Sequence, residues 1–364
     1  MSRFLLACGG TGGHLSPGIA LAEELVSRGN DTLLLVSTKK VDERLGSKYP
    51  NLRFEKLAGR GLSLHPARLP GFLASQVRGF AQARAIVREY LPDFIVGFGG
   101  FTTAVVAFAG RLGGVPVALH EANRVPGRAI RLAGHFARRV YLPPGVKSRS
   151  LSTSVVRHCG LPVRREFVRT SRVRARVELG LDPNRRTLAV LGGSQGATAL
   201  NKWAGSSLTA LARAGIQMVV VTGPGKASEA RRVETPGPDG ASVLAVFMPF
   251  CDDMPRLLSA ADLAVSRAGA GTIAELVRMR VPAILIPYPT AADDHQRVNA
   301  RYFEQQGGGF AVDQDFIGDL SREVIEVMGN EWLLQQFRNN LQRLDREDPA
   351  AFIADDLERL IRTG

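Results

Sequence analysis

The sequence lacks long apolar runs and has few cysteines. No uncharged apolar stretch reaches the roughly 18 residues that a membrane-spanning helix needs, and the N-terminus has no signal-peptide cleavage pattern, so we expect no segment that crosses a bilayer. Cys8, Cys159 and Cys251 are odd in number, widely separated and without CxxC spacing, which argues against a disulfide framework or a zinc site. We therefore expect a reducing compartment, the cytoplasm.

Acidic residues are scarce in the first half of the chain. Residues 1–160 contain 22 Lys and Arg against 9 Asp and Glu, whereas residues 161–364 contain 25 of each, so the first half carries the entire net charge of +13. This asymmetry predicts an anionic partner for the first half, either nucleic acid or an anionic membrane surface, with a merely solubilising basic surface as an equal alternative. Aromatic residues, at 7% of the chain, are too few to favour the base stacking of a nucleic-acid interface.

The length of 364 residues exceeds what one hydrophobic core usually fills, which predicts two domains. We place the boundary after Gly160, which gives domains 1–160 and 161–348. A last helical pattern, 349–364, lies beyond the second domain, and we expect it to pack back on the first.

A strand, a glycine-rich loop and a helix occur in succession twice. Phe4 to Cys8 is a predicted buried strand, Gly9 to Gly13 a loop, and Pro17 suits the first turn of the next helix. The predicted inward face of that helix consists of Ile19, Ala22, Leu25 and Val26. The pattern returns 183 residues later with the strand 187–191 and the loop 192–196. The apolar stripe predicted for the second helix consists of Leu200, Trp203, Ala204 and Leu211.

Short apolar runs continue to alternate with helical patterns, which is typical of parallel sheets covered by helices. The further predicted strands are 32–37, 93–97, 115–120, 217–222, 263–266 and 283–286. The predicted fold class is α/β, with two Rossmann-like, doubly wound domains that face each other across a cleft.

Glycine-rich turns between a strand and a helix bind phosphate because backbone N–H groups can approach the anion and the helix N-terminus adds partial positive charge. Neither loop has GxGxxG spacing or the Lys-Ser/Thr ending of a P-loop, so neither a dehydrogenase nor an ATPase is supported. A single loop would more readily be a simple tight turn, but a matched pair favours two phosphate-bearing substrates.

The run Arg267 to Glu275 follows a predicted strand and opens a helix. It places Glu275 about one turn into that helix, where a carboxylate can accept hydrogen bonds from a ribose diol while the helix N-terminus faces a diphosphate. A carboxylate that only complements the helix dipole is the alternative. Gln296 offers a donor and an acceptor to sugar hydroxyls, although its loop, 287–296, could simply cap a helix.

Seven motifs stand in a characteristic order: GTGGH at 10–14, GFGG at 97–100, HEAN at 120–123, PVR at 162–164, GGSQG at 192–196, RAGAGTIAE at 267–275 and DDHQRVNA at 293–300. Together they cover almost the whole chain and resemble the MurG family of UDP-N-acetylglucosamine transferases. Single motifs are shared with other nucleotide-sugar transferases, but the combination of GTGGH, GGSQG and DDHQ is specific. The resemblance implies the GT-B fold and inverting transfer of GlcNAc to the C4 hydroxyl of MurNAc in undecaprenyl-pyrophosphoryl-MurNAc-pentapeptide.

The resemblance also implies how UDP-GlcNAc binds to the second domain. The backbone at Cys251 would contact the uracil, Glu275 the ribose and Gln296 the GlcNAc hydroxyls, while Arg164 would reach the nucleotide from near the hinge. Ser194 and the Gly271-Thr272 region would contact the diphosphate. The other predicted substrate-binding residues are Thr11, Gly12, Gly13, Asn123, Ala270, Ile273 and Ala274.

The first domain supplies the candidate base. Because an imidazole ordinarily titrates near neutral pH, His14 is predicted to act as the base or as a contact to the acceptor phosphate, with helix capping as the alternative. We expect no cofactor and no metal, because the one Asp-x-Asp sequence, at 313–315, lies away from the nucleotide motifs and suits a turn or helix cap.

A lipid-linked acceptor implies a peripheral protein on the cytoplasmic face of the cell membrane, with an anionic membrane surface and not nucleic acid as its partner. Residues 59–91 supply a predicted contact in which apolar and basic side chains alternate. Its apolar members are Leu62, Leu64, Leu69, Phe72, Leu73, Val77 and Phe80, and its basic members are Arg60, Arg68, Arg78, Arg84 and Arg88. An amphipathic helix that covers the sheet is the alternative.

Other functions remain compatible with parts of the sequence. Another lipid glycosyltransferase, for example one acting on diacylglycerol, shares the donor-side motifs. A UDP-GlcNAc 2-epimerase shares the fold class but needs no basic, lipid-facing half. A non-catalytic nucleotide-sugar sensor is a third alternative.

Overall fold

The computed structural model describes residues 1–9, 12–38, 40–57, 69–148, 151–193, 197–224, 230–345 and 347–363, with the backbone alone for residues 12, 40–42, 69–74, 101 and 292. The chain forms two compact units: unit 1 is Met1–Arg165 with Glu347–Gly364, and unit 2 is Glu166–Arg346. The chain passes into unit 2 after Arg165, five residues beyond Gly160. Within the described ranges, no helix is both long enough and apolar enough to cross a bilayer.

Unit 1 is built on a parallel sheet. Its strands are β1 (Arg3–Ala7), β2 (Asp31–Val36), β3 (Arg53–Lys56), β4 (Phe94–Gly97), β5 (Val117–His120), β6 (Arg139–Leu142) and β7 (Val156–His158). The helices that accompany them are α1 (Gly12–Ser27), α2 (Lys40–Gly46), α3 (Leu69–Tyr90), α4 (Gly100–Leu112) and α5 (Arg128–Ala133). The strand order is β3-β2-β1-β4-β5-β6-β7, and every neighbouring pair is parallel.

Unit 2 begins with α6 (Arg172–Glu178) and contains a second sheet. Its strands are β8 (Thr187–Leu191), β9 (Gln217–Val221), β10 (Arg231–Pro236), β11 (Ser242–Met248), β12 (Leu263–Ser266), β13 (Ala283–Leu285) and β14 (Gly309–Ala311). Its other helices are α7 (Thr198–Ser206), α8 (Leu208–Arg213), α9 (Met254–Ala260), α10 (Ala270–Met279), α11 (His295–Gln305), α12 (Leu320–Gly329) and α13 (Glu331–Leu344), and 3-10 turns occur at Ala292–Asp294 and Gln314–Phe316.

The two sheets share one topology, which confirms the predicted pair of doubly wound domains. The second sheet has the order β10-β11-β9-β8-β12-β13-β14, and only β10 is antiparallel to its neighbour. Without β10, this order matches that of the first six strands of unit 1. In each unit the order reverses beside the strand that precedes a glycine-rich loop, between β1 and β4 and between β8 and β12. Ligands of open α/β sheets bind at such a switch point, beyond the carboxyl ends of the strands.

The central strands are apolar on both faces because helices cover both faces. In β1, Phe4 and Leu6 point into one hydrophobic cluster of unit 1, whereas Leu5 and Ala7 point into the other. β8, β12 and β13 are likewise buried along their whole length. Because these strands are buried on both faces, their sequences are continuous apolar runs, and the runs predicted them.

Two predicted helices differ from the structure in detail. α1 begins at Gly12, so the glycines form its first turn and Pro17 lies inside the helix instead of at its start. Ile19, Ala22 and Leu25 are buried as predicted, but Val26, which lies in the last turn of the helix, is 38% exposed. The predicted second helix is divided at Ser207 into α7 and α8, and all four residues of its apolar stripe are buried.

The last described helix, α14 (Pro349–Thr363), packs against α1 in unit 1. Ile353, Ala354 and Leu357 enter the same core cluster as Phe4 of β1. Asp356, which is 2% exposed, anchors this helix to the sheet. Its Oδ2 accepts hydrogen bonds from Arg139 Nε (2.7 Å) and Tyr141 Oη (3.0 Å), and its Oδ1 accepts one from Arg359 Nη2 (2.6 Å).

Candidate active site

A cavity of about 150 Å³ lies at the switch point of unit 2. It is lined by Leu191, Gly192, Gly193, Val221, Gly223, Pro224, Pro249, Phe250, Cys251, Met254, Thr272 and Glu275. Three of the predicted substrate-binding residues, Cys251, Thr272 and Glu275, therefore meet around one space. Its walls are apolar except at the α10 side, which suits a ligand with a flat base at one end and polar groups at the other.

The glycines after β8 keep backbone atoms close to this cavity. Gly193 has φ of +75°, a conformation that favours glycine, and a Cβ placed there would meet nothing within 4 Å. Ser194, predicted to contact the diphosphate, lies outside the described residues. Its contact remains a prediction.

α10 directs its N-terminus into the same region. Its N-cap is Gly269, no side chain caps it, and its first turn contains no acidic residue, so its first N–H groups remain suited to an anion. The predicted residues Ala270, Gly271, Ile273 and Ala274 all lie in the first turns of this helix, which also carries Thr272 and Glu275. Asn299 of α11 holds the preceding loop by donating from Nδ2 to Ala268 O at 3.2 Å.

Gln296 stands in the first turn of α11, where its Oε1 accepts a hydrogen bond from the Tyr288 N–H at 2.9 Å. The acceptor oxygen is therefore engaged in holding the loop after β13, and the Nε2 donors are the groups that suit a sugar hydroxyl. Asp293 and Asp294, the two residues before α11, both adopt left-handed backbone conformations, with φ of 51° and 53°. Asp294 is the N-cap of α11, but its side chain forms no capping hydrogen bond.

Arg267 is a structural element of this site that the sequence reasoning did not single out. It is 7% exposed, its Nη1 donates to Ile286 O and Pro287 O (both 3.1 Å), and its Nη2 donates to Gln314 Oε1 at 2.6 Å. Its guanidinium also lies over the Tyr288 ring, with the Cζ atom 5.4 Å from the ring centroid. Burial lowers the pKa of Arg267 from its ordinary value. The side chain ties together the segments that follow β12, β13 and β14.

The switch point of unit 1 contains the other glycine motif. Thr102 and Thr103, in the first turn of α4, are completely buried beneath it. Thr102 Oγ1 donates to Gly9 O, and Thr103 Oγ1 accepts from Gly99 N (2.9 Å) and donates to Gly99 O (2.7 Å). A Cβ at Gly9 would lie 2.5 Å from Thr102 Cγ2, so glycine is required for this close approach. Thr102 and Thr103 thus hold the backbone of both glycine segments, at Gly9 and at Gly99.

His14 lies in the first turn of α1, beside Gly99. A Cβ at Gly99 would be 3.1 Å from both Nε2 and Cδ2 of His14, so the imidazole packs against the glycine backbone. Gly12 and Gly13 belong to the same helical turn, which has no acidic residue. Thr11 lies outside the described residues.

Asn123 lies in a loop that is organised by a buried carboxylate. Glu121 Oε1 accepts from the Asn123 N–H (2.9 Å) and from Asn123 Nδ2 (3.2 Å), and its Oε2 accepts from the Gly127 N–H (2.7 Å). Next to it, His120 is buried and its Nε2 lies 3.1 Å from Gly160 O. Burial lowers the pKa of His120 to about 4, partly opposed by the hydrogen bond to Gly160, so this imidazole is neutral near pH 7.

Arg164 is 7% exposed and belongs to unit 1, where its Nη1 donates to the Tyr49 hydroxyl at 3.2 Å. Its predicted contact with the nucleotide remains a prediction. Asp313 lies at the start of a 3-10 turn and pairs with Arg297, the two charged groups being 3.4 Å apart. In the described part of the chain, no group of three or more His, Cys, Asp or Glu residues is arranged to hold a metal ion.

A larger cleft of about 360 Å³ also occurs in unit 2, between α11 and α12. Its walls are charged, and Arg297 and Asp313 from these walls pair with each other. None of the predicted substrate-binding residues lines it. The smaller cavity at the switch point is therefore the candidate active site.

Two α/β units of one topology, with a cavity at a switch point and the uncapped N-terminus of α10 beside it, define a two-domain glycosyltransferase of the GT-B fold. The chain belongs to the MurG family within glycosyltransferase family 28, which confirms the resemblance recognised from its motifs. The family 28 N-terminal domain matches residues 4–142, and the family 28 C-terminal domain matches residues 187–347.

Curated relatives match along the whole chain. A protein of Opitutus terrae, named UDP-N-acetylglucosamine--N-acetylmuramyl-(pentapeptide) pyrophosphoryl-undecaprenol N-acetylglucosamine transferase, is 55% identical over 363 residues, which cover 100% of this chain and 96% of that protein. A protein of the same name from Parasynechococcus marenigrum is 34% identical, with 99% of this chain and 100% of that protein covered.

Solved structures agree in fold. The crystal structure of Acinetobacter baumannii MurG aligns with a TM-score of 0.72 at 22% identity, over 99% of this chain and 100% of that one. The Streptomyces glycosyltransferase SsfS6, solved with thymidine diphosphate, aligns with a TM-score of 0.67 at 15% identity, over 99% of this chain and 100% of that one. At these identities the likeness concerns the fold.

Proposed function

We propose that the protein transfers GlcNAc from UDP-GlcNAc to the C4 hydroxyl of MurNAc in undecaprenyl-pyrophosphoryl-MurNAc-pentapeptide, with inversion at the anomeric carbon. This reaction converts lipid I to lipid II in peptidoglycan synthesis. The observation that carries the proposal is the meeting of Cys251, Thr272 and Glu275 around one cavity, in a chain that is 55% identical along its length to a relative with that name.

Unit 2 binds the donor in this proposal. The backbone at Cys251 contacts the uracil edge, and the apolar wall formed by Val221, Phe250 and Met254 covers the base. Glu275 accepts hydrogen bonds from the ribose hydroxyls. The N-terminus of α10 faces the diphosphate, and Gln296 donates from Nε2 to a GlcNAc hydroxyl. Charge-assisted hydrogen bonds of the kind that Glu275 would form contribute about 1.5–3 kcal/mol each.

The chemistry is a single in-line displacement. The C4 oxygen of MurNAc forms a bond to the anomeric carbon of GlcNAc as the bond from that carbon to the diphosphate oxygen breaks. The hydroxyl proton passes to a base, and the departing UDP carries the negative charge. Backbone N–H groups at the α10 N-terminus stabilise that charge, which is the type of preorganised electrostatic effect that dominates many enzymatic rate enhancements.

His14 is the proposed base, or the contact to the acceptor phosphate. Its position in the first turn of α1, packed against Gly99, supports the assignment because it lies at the switch point of unit 1. Replacing His14 with Ala should lower kcat by about 10²–10⁴-fold while UDP binding is retained. Near-normal turnover of this variant would remove His14 from the mechanism.

Unit 1 binds the acceptor pyrophosphate in this proposal. α1 and α4 both begin at the switch point of this unit, and neither has an acidic residue in its first turn. The N-cap of α4 is Gly99, which has no side chain that could compete for the first N–H groups of the helix. Paired helix N-termini of this kind favour an anion such as the pyrophosphate.

An anionic membrane surface is the proposed partner of unit 1, on the cytoplasmic face of the cell membrane. The segment 58–68 and the side chains of residues 69–74 lie outside the described part of the predicted contact. Within it, Val77 of α3 is 69% exposed, and Phe80 packs against Phe108 of α4 with ring centroids 5.8 Å apart. Phe108 and Leu112 of α4 are more than half exposed. With exposed arginines nearby on both helices, this surface suits insertion into an anionic leaflet.

The transfer assay is direct. Labelled UDP-GlcNAc and a short-chain lipid I analogue are incubated with the protein, and the labelled disaccharide lipid is the expected product. Transfer to diacylglycerol in place of the lipid I analogue would assign the protein to another class of lipid glycosyltransferase. Binding of UDP-GlcNAc without transfer to either acceptor would favour a nucleotide-sugar sensor.

Membrane association has its own test, sedimentation with vesicles of phosphatidylglycerol and phosphatidylcholine. We expect binding that weakens with salt and with the substitution Val77→Ser combined with Phe108→Ser. Binding that is indifferent to both salt and these substitutions would contradict the proposed surface.

A further inference from the structure

Arginines are concentrated at the amino-terminal edge of the second sheet, the edge opposite to the candidate active site. The arginine cluster consists of Arg169, Arg172, Arg176, Arg280 and Arg338. Arg169 precedes α6, two members lie on α6, Arg280 follows the last residue of α10, and Arg338 lies on α13. Elements distant in sequence thus bring like charges together at the ends of β8 and β12.

One buried carboxylate stands within this cluster. Asp262 Oδ1 lies 3.2 Å from Arg172 Nη1 and 3.7 Å from Arg338 Nη2, and its Oδ2 lies 2.5 Å from Arg176 Nη2. Oδ2 also accepts a hydrogen bond from the Thr187 N–H at 2.8 Å. Both carboxylate oxygens of Asp262 are therefore engaged by Arg172, Arg176 and Arg338.

A second carboxylate, that of Glu331, is shared between Arg338 and Arg186, which lies outside the cluster. Glu331 Oε1 lies 2.8 Å from Arg338 Nη1, and Glu331 Oε2 lies 3.6 Å from Arg186 Nη2. Arg280 donates from Nη1 to a neutral partner, Gln342 Oε1, at 3.0 Å. Arg169 has no hydrogen bond and no ion pair with any residue in the described ranges. Three of the five guanidinium groups thus share two carboxylates, one of which also pairs with Arg186, and the positive charge without a carboxylate partner lies at Arg169 and Arg280.

Two observations show that these charges are incompletely compensated, although Arg169 is itself exposed. The pKa of Arg169 is lowered by partial burial and by the nearby charges of Arg280, Arg172 and Arg338. The buried Nε atoms of Arg280 and Arg338 have no hydrogen-bond acceptor among the residues that the structure describes.

Arg280 adds a third observation. Its backbone is left-handed, with φ of 53° and ψ of 41°, at the helix C-terminus where glycine is the usual residue. A side chain that occupies a glycine position at a conformational cost points to a use for that side chain. Stabilisation of the negative end of α10 by its charge explains why a cation is favourable there, but not why four further arginines surround it.

We infer that the arginine cluster is a binding site for a phosphate-bearing anion, held principally by Arg169, Arg280 and Arg338. The planar guanidinium fork matches two phosphate oxygens at once, and the five charges exceed what the two carboxylates neutralise. The site is separate from the donor cavity, since none of its residues lines that cavity. α10 connects the two, because its N-terminus borders the cavity and Arg280 lies at its C-terminal end.

Inorganic pyrophosphate is the probe for this site. Thermal unfolding is followed by tryptophan fluorescence, because both tryptophans, Trp203 and Trp332, belong to unit 2. Saturating UDP keeps the donor cavity occupied, and ionic strength is matched with chloride. We expect Tm to rise saturably with pyrophosphate, and the concentration needed for half of that rise to increase at least tenfold in Arg169→Gln and in Arg280→Gln. The matched control is Arg174→Gln.

The substitution Arg174→Gln also removes one positive charge from α6. Arg174, however, lies on the exposed side of the helix, where its Nε is 2.7 Å from Glu178 Oε1. Without pyrophosphate, Arg169→Gln should be at least as stable as the unmodified protein, because the substitution removes a repulsive charge; with pyrophosphate, it should be less stable. An identical pyrophosphate response in all variants would overturn the inference. So would a fall in Tm of Arg169→Gln in the absence of the anion, because Arg169 would then be a structural residue.

Phosphate can come from a soluble compound or from a lipid headgroup. Sedimentation with phosphatidylcholine vesicles, with and without phosphatidic acid, separates the two sources. If the phosphatidic acid-dependent fraction falls in Arg169→Gln but not in Arg174→Gln, the headgroup is the ligand. If both variants sediment equally while the pyrophosphate response differs, the ligand is soluble.

Discussion

Asp356 is expected to control the stability of unit 1 alone. Its carboxylate is 2% exposed and joins α14 to the sheet through hydrogen bonds from Arg139, Tyr141 and Arg359. Replacement by Asn keeps the size of the side chain but removes the negative charge and one acceptor. The Arg139 guanidinium, whose side chain is 13% exposed, would then be left without its carboxylate.

The magnitude follows from the burial of this pair. Removing one partner of a buried ion pair costs about 3–5 kcal/mol, because the remaining charge is desolvated and unpaired. We expect about 3 kcal/mol for Asp356→Asn, since the amide retains an acceptor for the Tyr141 hydroxyl. For a domain of 150–250 residues, that loss corresponds to a decrease in Tm of about 6–12 °C.

The assay separates the two units with optical probes that the chain already contains. Both tryptophans lie in unit 2, so tryptophan fluorescence follows unit 2, whereas far-ultraviolet circular dichroism follows both. Asp356→Asn should lower the Tm of the circular dichroism transition that belongs to unit 1. The Tm of the tryptophan fluorescence transition, which belongs to unit 2, should not change. The matched control is Asp355→Asn on the same helix, because Asp355 is 71% exposed in its pair with Arg28 and should change Tm little.

The stabilisation that Asp356 provides should depend on pH. Burial disfavours the charged form of Asp356, but the hydrogen bonds from Arg139, Arg359 and Tyr141 outweigh it and lower its pKa. The stabilisation is therefore complete above the unfolded pKa of about 3.9 and is lost as pH falls through the lower, folded value. The difference in Tm between the unmodified protein and Asp356→Asn should be present at pH 7 and smaller at pH 2. A difference that persists unchanged at pH 2, or is absent at pH 7, would refute the reasoning.

Three further predictions concern the glycine motifs and the donor cavity. Glu275→Gln should raise KM for UDP-GlcNAc by about tenfold, measured by initial rates, since one charge-assisted hydrogen bond is worth roughly 1.5–3 kcal/mol; an unchanged KM would exclude the ribose contact. Gly18→Ala should destabilise unit 1 by about 1–3 kcal/mol in chemical denaturation, because the new methyl group would overlap Cys8 Sγ, and Cys8→Ala should restore most of the loss. Thr103→Val should reduce kcat by disordering the backbone at Gly99, whereas Thr103→Ser, which keeps the hydroxyl, should not; equal activity of both variants would contradict this role.

The buried strands were predictable because they carry uninterrupted apolar runs. β8 and β12 match the predicted strands residue for residue. The antiparallel strand β10 was not predicted, because it lies at the sheet edge and alternates polar residues, Arg231 to Pro236, with few buried side chains. The short strands β3 and β7, at the two edges of the sheet in unit 1, were missed for the same physical reason: an edge strand needs no continuous apolar signal. β11 was also missed, although it is an inner strand and residues 243–248 form an apolar run.

The candidate site was predictable where residues follow a strand directly. Glu275 could be assigned from the strand and glycines that precede it and from its place in the helix, whereas Cys251 and Thr272 came only from the family resemblance. Arg267 and Asn299 were missed as holders of the loops because they bind backbone carbonyls, which carry no sequence signature. The bond from Asn299 to Ala268 spans 31 residues and depends on the completed fold.

The return of α14 to unit 1 affects how the chain folds as it is made. Unit 2 is continuous and contains all of its own strands, so it can fold as soon as it has left the ribosome. Unit 1 comes first in the chain, yet Ile353, Ala354 and Leu357 of its core are synthesised after the whole of unit 2. The basic first half of the protein therefore completes its core last, and a fragment that ends at Arg165 would leave that apolar face uncovered.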